Sequence, residues 1–578
     1  MLCGRIGRVN RVIYTRSMRR ASALVLLAVF GAGVFLAGLE LMITAVALPS
    51  ILADLAAVSG SSAWVELRTA SWIINGYLLV YIVVMPLAGR LADVWGARPL
   101  FMSALVVFIL GSVLAGAAQD LDQLIAARVV QALGGGILVP VGTAAAAQLF
   151  DGAARPRALG VIGALTFLGM AAGPFVGAAI LGSVHPVDAL AAQGLTDPIL
   201  AHIAAPAWRW VFYLNIPVGL CCLALAWAAS VGWEAGHQGR HVDWPGAAIF
   251  GIGLAAALIA LTLAGATQSP NVPVDPKTVT VALAALALVA TLLAIVRAAR
   301  STDPFLDVRL FRNRVFSASA IVSLLTGYAF ATAIIGGAVF VDRVLYGGAD
   351  EQRLALGSLA AATAVGALVS GFLIRLVRPS VVTLVGLATS VVGLTLMATW
   401  TAATQITAVA AALALFGAGF GLTVTPRSTA AIEAAGRRAF GAASSVVTVA
   451  RMIGMAVGLA ILTAYGSTTI DRLSAQVYAT PDAYRAYIPA ELRDRPLHDP
   501  FVVQALETWA SREAASIMVG LFLVAAAVTV VAAPAALAMG GRVGRAMNPE
   551  PADPAGPATT DDTGMLAGDG RREPDLVL

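Results

Sequence analysis

The sequence predicts an all-α protein that crosses a lipid bilayer about 14 times. Of its 578 residues, 59% are hydrophobic and only 12% are charged, whereas soluble domains are about 25% charged. Apolar runs of roughly 20 residues, the length of a membrane helix, recur along the chain. Because the bilayer core cannot satisfy unpaired backbone groups, each run is expected to be helical. We predict spans at 22–51, 70–88, 99–118, 122–147, 158–182, 209–230, 245–266, 278–298, 315–341, 355–376, 381–400, 405–425, 440–465 and 514–538.

The positions of Lys and Arg predict that both ends of the chain lie in the cytoplasm. Cytoplasmic loops of membrane proteins carry an excess of these residues. With both termini inside, most of the 37 Lys and Arg residues fall in inner segments, Arg427 among them. Outer loops are then expected at 183–207 and 467–513. The second of these is predicted to be helical at both ends, because 470–477 and 502–510 have amphipathic patterns.

The sequence offers no cluster for catalysis, metal binding or redox chemistry. Cys3, Cys221 and Cys222 have no spacing that predicts a disulfide framework or a zinc site. No Gly-rich phosphate loop of the Walker type is present, so ATP is not the expected energy source. The five histidines all fall in predicted loops: His185, His202, His237, His241 and His498. We therefore predict no enzyme, no metal, no cofactor and no nucleic-acid partner.

The most informative local pattern, Gly89-Arg-Leu-Ala-Asp93-Val-Trp-Gly96-Ala-Arg98, follows the second predicted span. It could be no more than a polar turn between two helices. Its glycines allow close helix approach, and Asp93 can pair with an arginine or lie against the positive end of a helix. The pattern resembles the signature loop between helices 2 and 3 of the major facilitator superfamily. The resemblance implies that Gly89, Asp93, Gly96 and Arg98 form a latch between two halves of a transporter on the cytoplasmic side.

Two further spans carry patterns similar to that superfamily. Residues 124–136 resemble its second motif, which implies that Arg128 assists proton coupling; otherwise this arginine would have to lie shallow and snorkel. In the fifth span, the glycine spacing is similar to the antiporter motif of exporters, with Ala178 where a final glycine is usual. The same spacing could also serve only as a packing face. The residues of this motif are Gly160, Gly169, Gly173, Pro174 and Gly177.

Segments 39–49 and 208–217 resemble the EmrB/QacA-like drug:proton antiporters, and segment 449–455 is similar to mycobacterial exporters of lipids and drugs. The resemblance implies the major facilitator fold of two six-helix bundles, with two helices inserted between them. The expected division is a cytoplasmic N-terminal segment at 1–21, an N-terminal bundle at 22–230, the inserted pair at 231–300, a C-terminal bundle with its outer extension at 301–540, and a disordered cytoplasmic tail at 541–578.

Glu40 is the main candidate for a proton-carrying group. It is the only acid in the first predicted span and is flanked by Leu39 and Leu41. At about 1.5 Å per residue it lies past the bilayer midplane, toward the outer side. An apolar setting favours the protonated form of a carboxyl group, so such a residue can exchange a proton as its surroundings change. The alternative is a structural acid hydrogen-bonded to a neighbouring helix. The related branch usually has aspartate at this position.

Four other residues are candidates for the transport pathway. Asp342, at the outer end of the ninth span, either takes part in proton coupling at the cavity mouth or pairs with Arg343 at the surface. Arg451 is either a cation in the cavity or a side chain that snorkels to the membrane surface. Asn75 and Tyr77, in the second span, are expected to line the substrate cavity.

The resemblance thus implies a proton-coupled exporter of lipophilic or cationic drugs that works by alternating access in a bacterial inner membrane. An exporter of a lipid or natural product with the same fold is the alternative that the sequence leaves open. The order of the motifs disfavours a non-transporting membrane sensor. The expected partners are a small lipophilic substrate, protons, the lipid bilayer and a periplasmic protein at the outer extension.

Overall fold

The computed structural model describes residues 2–55, 63–150, 152, 154–183, 206–229, 242–264, 276–301, 304, 307–436, 439–477 and 482–540. Fourteen helices in these ranges are long and apolar enough to cross a membrane, which confirms the predicted all-α membrane fold and its number of spans. Most of the predicted outer loop at 183–207 and the whole predicted tail at 541–578 lie outside the described residues.

The helices are numbered α1 to α14 in chain order. A break at Leu214 divides α6, and α9 ends in a single π-helical turn. Their bounds are α1 Leu2–Leu55, α2 Ala63–Trp95, α3 Ala97–Ala117, α4 Leu121–Leu149, α5 Ala154–Ser183, α6 Arg209–Ala229, α7 Trp244–Ala264, α8 Pro276–Arg300, α9 Arg314–Val344, α10 Ala349–Leu373, α11 Pro379–Met397, α12 Ile406–Ala435, α13 Phe440–Val477 and α14 Pro500–Ala538.

Helix α12 corrects one sequence-based boundary. The prediction ended this span at residue 425 and placed Arg427 in an inner segment. The helix instead continues to Ala435. Its hydroxyl groups bond to carbonyls of the preceding turn, as Thr423 does to Phe420 (2.7 Å) and Ser428 to Val424 (3.0 Å). Such bonds satisfy the hydroxyl groups within the helix, so these polar residues need not end it. Arg427 therefore belongs to the interior of a membrane helix.

The helices pack into two groups joined by a limited set of contacts. Helices α1–α6 pack among themselves, as do α9–α14. The two groups meet where α2 and α4 pack against α13 and where α5 packs against α10 and α12. Helices α7 and α8 form a hairpin, of which α7 rests on both α2 and α13. The connections alternate in direction, so the α2–α3 connection with Asp93 marks one face of the molecule. We call it the Asp93 face.

The inserted hairpin is held by an ion pair at the Asp93 face. Asp243, just before α7, accepts hydrogen bonds from Nη2 and Nε of Arg297 near the end of α8, at 2.7 and 2.9 Å. The same carboxylate accepts a bond from the amide of Gly246 (3.0 Å), which caps the start of α7. Two parallel bonds to one carboxylate fix the relative position of the two helices. The pair thereby ties the two helices of the hairpin to each other at the Asp93 face.

The face opposite Asp93 carries a helical extension. Helices α13 and α14 have 38 and 39 residues, or about 57 Å each at 1.5 Å per residue, nearly twice the roughly 30 Å of a bilayer core. This confirms that segment 467–513 is helical at both ends. Between them, the ring of Tyr487 packs on Trp509 (4.7 Å between centroids), and Tyr484 donates to the Arg495 carbonyl (2.7 Å). A small apolar cluster thus closes the extension.

The orientation of the chain can be tested with single cysteines in a variant whose three native cysteines are replaced by serine. Ala490 lies in the extension, whereas Leu376, 78% exposed, lies between α10 and α11 at the Asp93 face. We expect an impermeant maleimide to label Ala490→Cys on intact cells and to label Leu376→Cys only after permeabilisation. The opposite pattern would place the Asp93 face outside.

Candidate functional site

Nine charged side chains are buried in the described part of the chain, and their depth divides them into two sets. Five lie near the end of a helix, where a charge can reach water or a free backbone group: Arg90, Asp93, Arg155, Arg209 and Asp243. The other four lie at least seven residues from either end of their helices: Glu40, Arg128, Arg427 and Arg451. A charge at such depth is costly without a partner, so these four residues are the strongest functional candidates.

Glu40 and Arg128 form an ion pair inside the N-terminal group of helices. The carboxylate of Glu40 on α1 accepts a bond from Nη1 of Arg128 on α4. Thr44 donates to the same oxygen (3.0 Å), and the amide of Asn215 on α6 donates to the other (2.7 Å). Glu40 and Asn215 have no exposed surface, and Arg128 is only 1% exposed. Three helices therefore meet at one fully enclosed carboxylate.

The guanidinium of Arg128 has partners besides Glu40. It donates a hydrogen bond to the side-chain oxygen of Gln131. The amide nitrogen of Gln131 in turn donates to the hydroxyl of Ser112 on α3 (2.9 Å). Its carbon lies 4.0 Å from the centre of the Tyr77 ring on α2, a cation–π contact. The bond to Gln131 comes from Nη1, the same nitrogen that donates to Glu40, and the Tyr77 ring adds a second contact. If Glu40 becomes neutral, Arg128 keeps part of its support.

The two charges of this network depend on each other. Removing one partner of a buried ion pair typically costs about 3–5 kcal/mol, because the other charge stays buried. Glu40 and Arg128 therefore stabilise each other across α1 and α4. Arg128 lies seven residues into α4 from the face opposite Asp93, about 10 Å deep. The carboxylate is therefore closer to that face than to the Asp93 face.

The structure places the remaining predicted residues of the pathway differently from one another. Tyr77 is buried within the N-terminal helices against Arg128, with its ring stacked on Tyr81 (5.6 Å). Asn75 is half-buried on the same helix. Asp342 is at the surface: it pairs with Arg343 at 2.9 Å, and its side chain is 48% exposed. This geometry favours the surface-pair alternative for Asp342.

Asp93 connects the two groups of helices. Its two carboxylate oxygens accept hydrogen bonds from the backbone amides of Gly441 (2.7 Å) and Ala442 (2.9 Å), in the first turn of α13. The first amides of a helix have no partner within it and carry partial positive charge, so a carboxylate there is stabilised. Gly89 packs directly on Gly441 and Ser445, and a side chain at position 89 would collide with them. Gly96 follows at a positive φ of 92° and lets the chain turn into α3.

The glycines of α5 make two different surfaces. Gly169, Gly173 and Gly177 face α1, where they pack against the backbone near Leu39 and Ile43, directly beside Glu40. Gly160 instead faces Ala367 and Gly371 on α10. Pro174 lies inside the helix. Helix α5 therefore touches the ion-paired helix on one side and the C-terminal group on the other.

Several partners in this site carried a sequence signal too weak to identify their role. Asn215 and Gln131 occur within segments that resemble the superfamily, but nothing in the spacing shows that they meet Glu40 and Arg128. Thr44 lies one helical turn after Glu40 and could have been found as an i,i+4 partner. Arg427 was missed because it was assigned to a loop. It is buried, donates to the hydroxyl of Thr326 on α9 (2.5 Å), and lies 5.1 Å from the Phe420 ring.

Comparisons with known proteins agree with this architecture. The model of the Major Facilitator Superfamily matches residues 30–459. A triacylglyceride transporter of Mycolicibacterium hassiacum is 31% identical over 82% of this chain and 84% of its own length. The multidrug transporter protein MdtP of Bacillus subtilis is 27% identical over 74% of this chain and 72% of its own. Among solved structures, the proton:xylose symporter XylE is similar in fold, with a TM-score of 0.52 at 13% identity over 88% of this chain and 95% of its own.

The contact between Asp93 and α13 can be tested by hydrogen exchange. Asp93→Asn removes the charge and one of the two acceptors, which typically costs about 1 kcal/mol at a helix start. We expect the amides of Gly441 and Ala442 to exchange about five times faster than in the unmodified protein.

Asp499→Asn is the matched control, because Asp499 caps α14 through the amide of Phe501 (2.9 Å) without joining the two groups. It should speed exchange only at the start of α14. Unchanged exchange at Gly441 in Asp93→Asn would show that this contact does not hold the two groups together.

Proposed function

This chain belongs to the major facilitator superfamily, and on that basis we propose that it exports lipophilic compounds across a bacterial inner membrane in exchange for protons. The buried ion pair of Glu40 and Arg128 is the observation that carries the proposal. A proton-coupled transporter needs an ionisable group whose protonation changes with conformation, and only a buried group senses that change. In the described membrane helices, Glu40 is the carboxylate that meets this requirement best.

The coupling step follows from the partners of Glu40. A proton that arrives from the face opposite Asp93 neutralises the carboxylate and breaks its ion pair with Arg128. Helix α1 then loses its electrostatic link to α4, while Asn215 and Thr44 can still hydrogen-bond to the carboxyl group. Because α5 packs on α1 beside Glu40 and also on α10, a shift of α1 can be transmitted to the C-terminal group. Release of the proton on the Asp93 face restores the pair.

The contact of Asp93 with α13 serves as the reversible closure of the Asp93 face. In the structure this contact is formed, so α2 and α13 are held together there. Opening that face requires Asp93 to exchange two backbone amides for water, a modest cost that protonation or substrate binding can supply. Alternating access then consists of forming and breaking this contact in step with the protonation of Glu40.

Two classes of substrate follow from the relatives. Export of drugs is suggested by the similarity to multidrug transporters. Export of a lipid is the second candidate, and one observation favours it specifically. A triacylglyceride transporter is 31% identical to this chain over 84% of its own length. In addition, α13 and α14 are much longer than a bilayer core is thick. Such an extension could shield an apolar substrate after it leaves the membrane.

Purified protein in liposomes tests the proposed exchange directly. With a pH-sensitive dye inside the vesicles, a transported compound should cause proton movement in the direction opposite to its own. An imposed pH gradient should in turn drive accumulation of that compound against its concentration gradient. Proton-independent transport of every active compound would exclude antiport.

The role of Glu40 is tested by Glu40→Gln, which imitates the protonated state. Glutamine can still accept bonds from Arg128 and Thr44, so the protein should fold. We expect gradient-driven export to fall at least a hundredfold, while exchange of labelled for unlabelled substrate at equal pH continues. Glu40→Asp should retain part of the driven activity, because it keeps the charge on a side chain shorter by one methylene.

Asp342→Asn is the matched control for this experiment, since it removes a carboxylate that is paired at the surface. It should export normally. Full pH-driven export by a well-folded Glu40→Gln protein would contradict the assignment of Glu40 as the proton-carrying residue.

A further inference from the structure

The two buried arginines of the C-terminal group differ from Arg128 in having no carboxylate partner. Neither Arg427 nor Arg451 forms an ion pair with any acidic residue in the described ranges. Arg427 is 1% exposed and Arg451 is 8% exposed. Each lies over one of two phenyl rings that pack against each other, Phe420 for Arg427 and Phe167 for Arg451. Two like charges are thus enclosed together without a described countercharge, an arrangement that proteins otherwise avoid.

Hydrogen-bond donors in this region also lack acceptors. The buried Nε of Arg451 has no partner, and the buried hydroxyl of Ser323 has none either. Ser323 lies three residues before Thr326, on the same face of α9, and Thr326 is the residue that contacts Arg427. The bonds of Arg427 to Thr326 and Thr423 both come from Nη1. A guanidinium group has five N–H donors arranged to match an oxyanion.

Both arginines border one aromatic cluster, which lies between the two groups of helices. Arg451 lies over Phe167 (5.4 Å) and Arg427 over Phe420 (5.1 Å). Phe167 on α5 packs edge-on against Phe420 on α12 (5.5 Å) and against Phe330 on α9 (5.6 Å). Two cations therefore stand beside an apolar surface to which both halves of the transporter contribute.

Arg451 lies deep within the membrane helices. Arg451 is eleven residues into α13 from the Asp93 face, about 16 Å deep. Its backbone packs on Gly327 of α9, and its own helix, α13, packs on α2. This arginine neither snorkels nor reaches the membrane surface. It lies where α2, α5, α9 and α13 converge, so a ligand held there would contact both halves.

We propose that Arg427 and Arg451 bind the oxyanion headgroup of an amphiphilic substrate, a carboxylate or phosphate, while its apolar tail lies against Phe167, Phe330 and Phe420. The inference rests on the proposed export function and names its substrate class. A cationic drug is disfavoured by the same residues, because Glu40, the deep carboxylate of the described helices, is already occupied by Arg128. The headgroup supplies the countercharge that the described part of the chain does not provide.

The test measures binding to the purified full-length protein in detergent of three probes with the same alkyl chain: dodecanoate, its methyl ester and dodecylamine. We expect dodecanoate to bind at least tenfold more tightly than the other two. Arg427→Gln and Arg451→Gln should each weaken dodecanoate binding about tenfold or more, with little effect on the ester. Arg451→Lys, which keeps the charge but loses the fork, should bind with intermediate affinity.

Thermal unfolding separates a ligand site from a structural role. If the two arginines form a ligand site, Arg451→Gln removes a buried charge that has no ion-pair partner in the described residues. The ligand-free variant should then melt at the same temperature as the unmodified protein or at a higher one. Dodecanoate should then no longer stabilise it. If the arginines were structural, both glutamine variants would melt lower and still prefer dodecanoate to its ester, which would overturn the proposal. Arg353→Gln, at an exposed pair with Asp350, is the matched control and should behave as the unmodified protein.

Two further arms identify the source of the headgroup and separate this inference from the proposed function. Dodecyl phosphate should compete with dodecanoate at micromolar concentration, whereas inorganic phosphate should not, because it lacks the tail. Displacement by inorganic phosphate alone would overturn an amphiphile site. The transport arm compares the unmodified protein with a double variant that carries both Arg427→Gln and Arg451→Gln. If both proteins export a neutral lipophile under a pH gradient and neither prefers anions, the inference fails and antiport stands. If neither protein exports any probe, the proposed function fails.

Discussion

The ion pair between Glu40 and Arg128 is the interaction around which the N-terminal group of helices is organised. It joins α1 to α4 directly, and through Asn215, Gln131 and Ser112 it reaches α6 and α3. In water such a pair contributes little, but in an enclosed apolar setting each charge needs the other. The same dependence makes the pair sensitive to a single proton. The physical feature that stabilises these helices is therefore also the feature that can respond to a pH gradient.

The C-terminal group handles its charges in the opposite way. Arg427 and Arg451 are buried as well, yet their partners in the described chain are hydroxyl groups and aromatic rings. Because the two halves share the same general architecture, this contrast fits the two roles proposed above: proton coupling at the ion pair, and headgroup binding at the two arginines. Cation–π contacts with Phe167 and Phe420 lower the cost of burying these arginines.

The junction between the halves connects these two features. Helix α5 packs on α1 beside Glu40 and carries Phe167 to the arginines, while α13 carries both Arg451 and the amides that Asp93 accepts. A movement of α13 away from α2 would therefore break the Asp93 contact and shift Arg451 at the same time. Helices α5 and α13 thus connect the three features that the proposed mechanism uses: Glu40, the Asp93 contact and the two arginines.

The sequence by itself determined the class of fold, the number of spans and the identity of the proton candidate. These conclusions depend on local quantities: the length of apolar runs, the spacing of glycines around Asp93 and Pro174, and the presence of one acid within the first span. The helical ends of the extension could also be predicted, because amphipathic periodicity is local.

Only the tertiary structure decided which charges are paired. The sequence placed Arg128 in a motif, Arg451 in a span and Arg427 in an inner segment, but it did not show which of them meets a carboxylate. The carboxylate that Arg128 meets, that of Glu40, lies 88 positions away in the sequence. Such contacts are set by how helices pack, and neither periodicity nor composition carries that information. Asp342 shows the same limit, since its pairing with Arg343 at the surface was one of two arrangements that the sequence allowed equally.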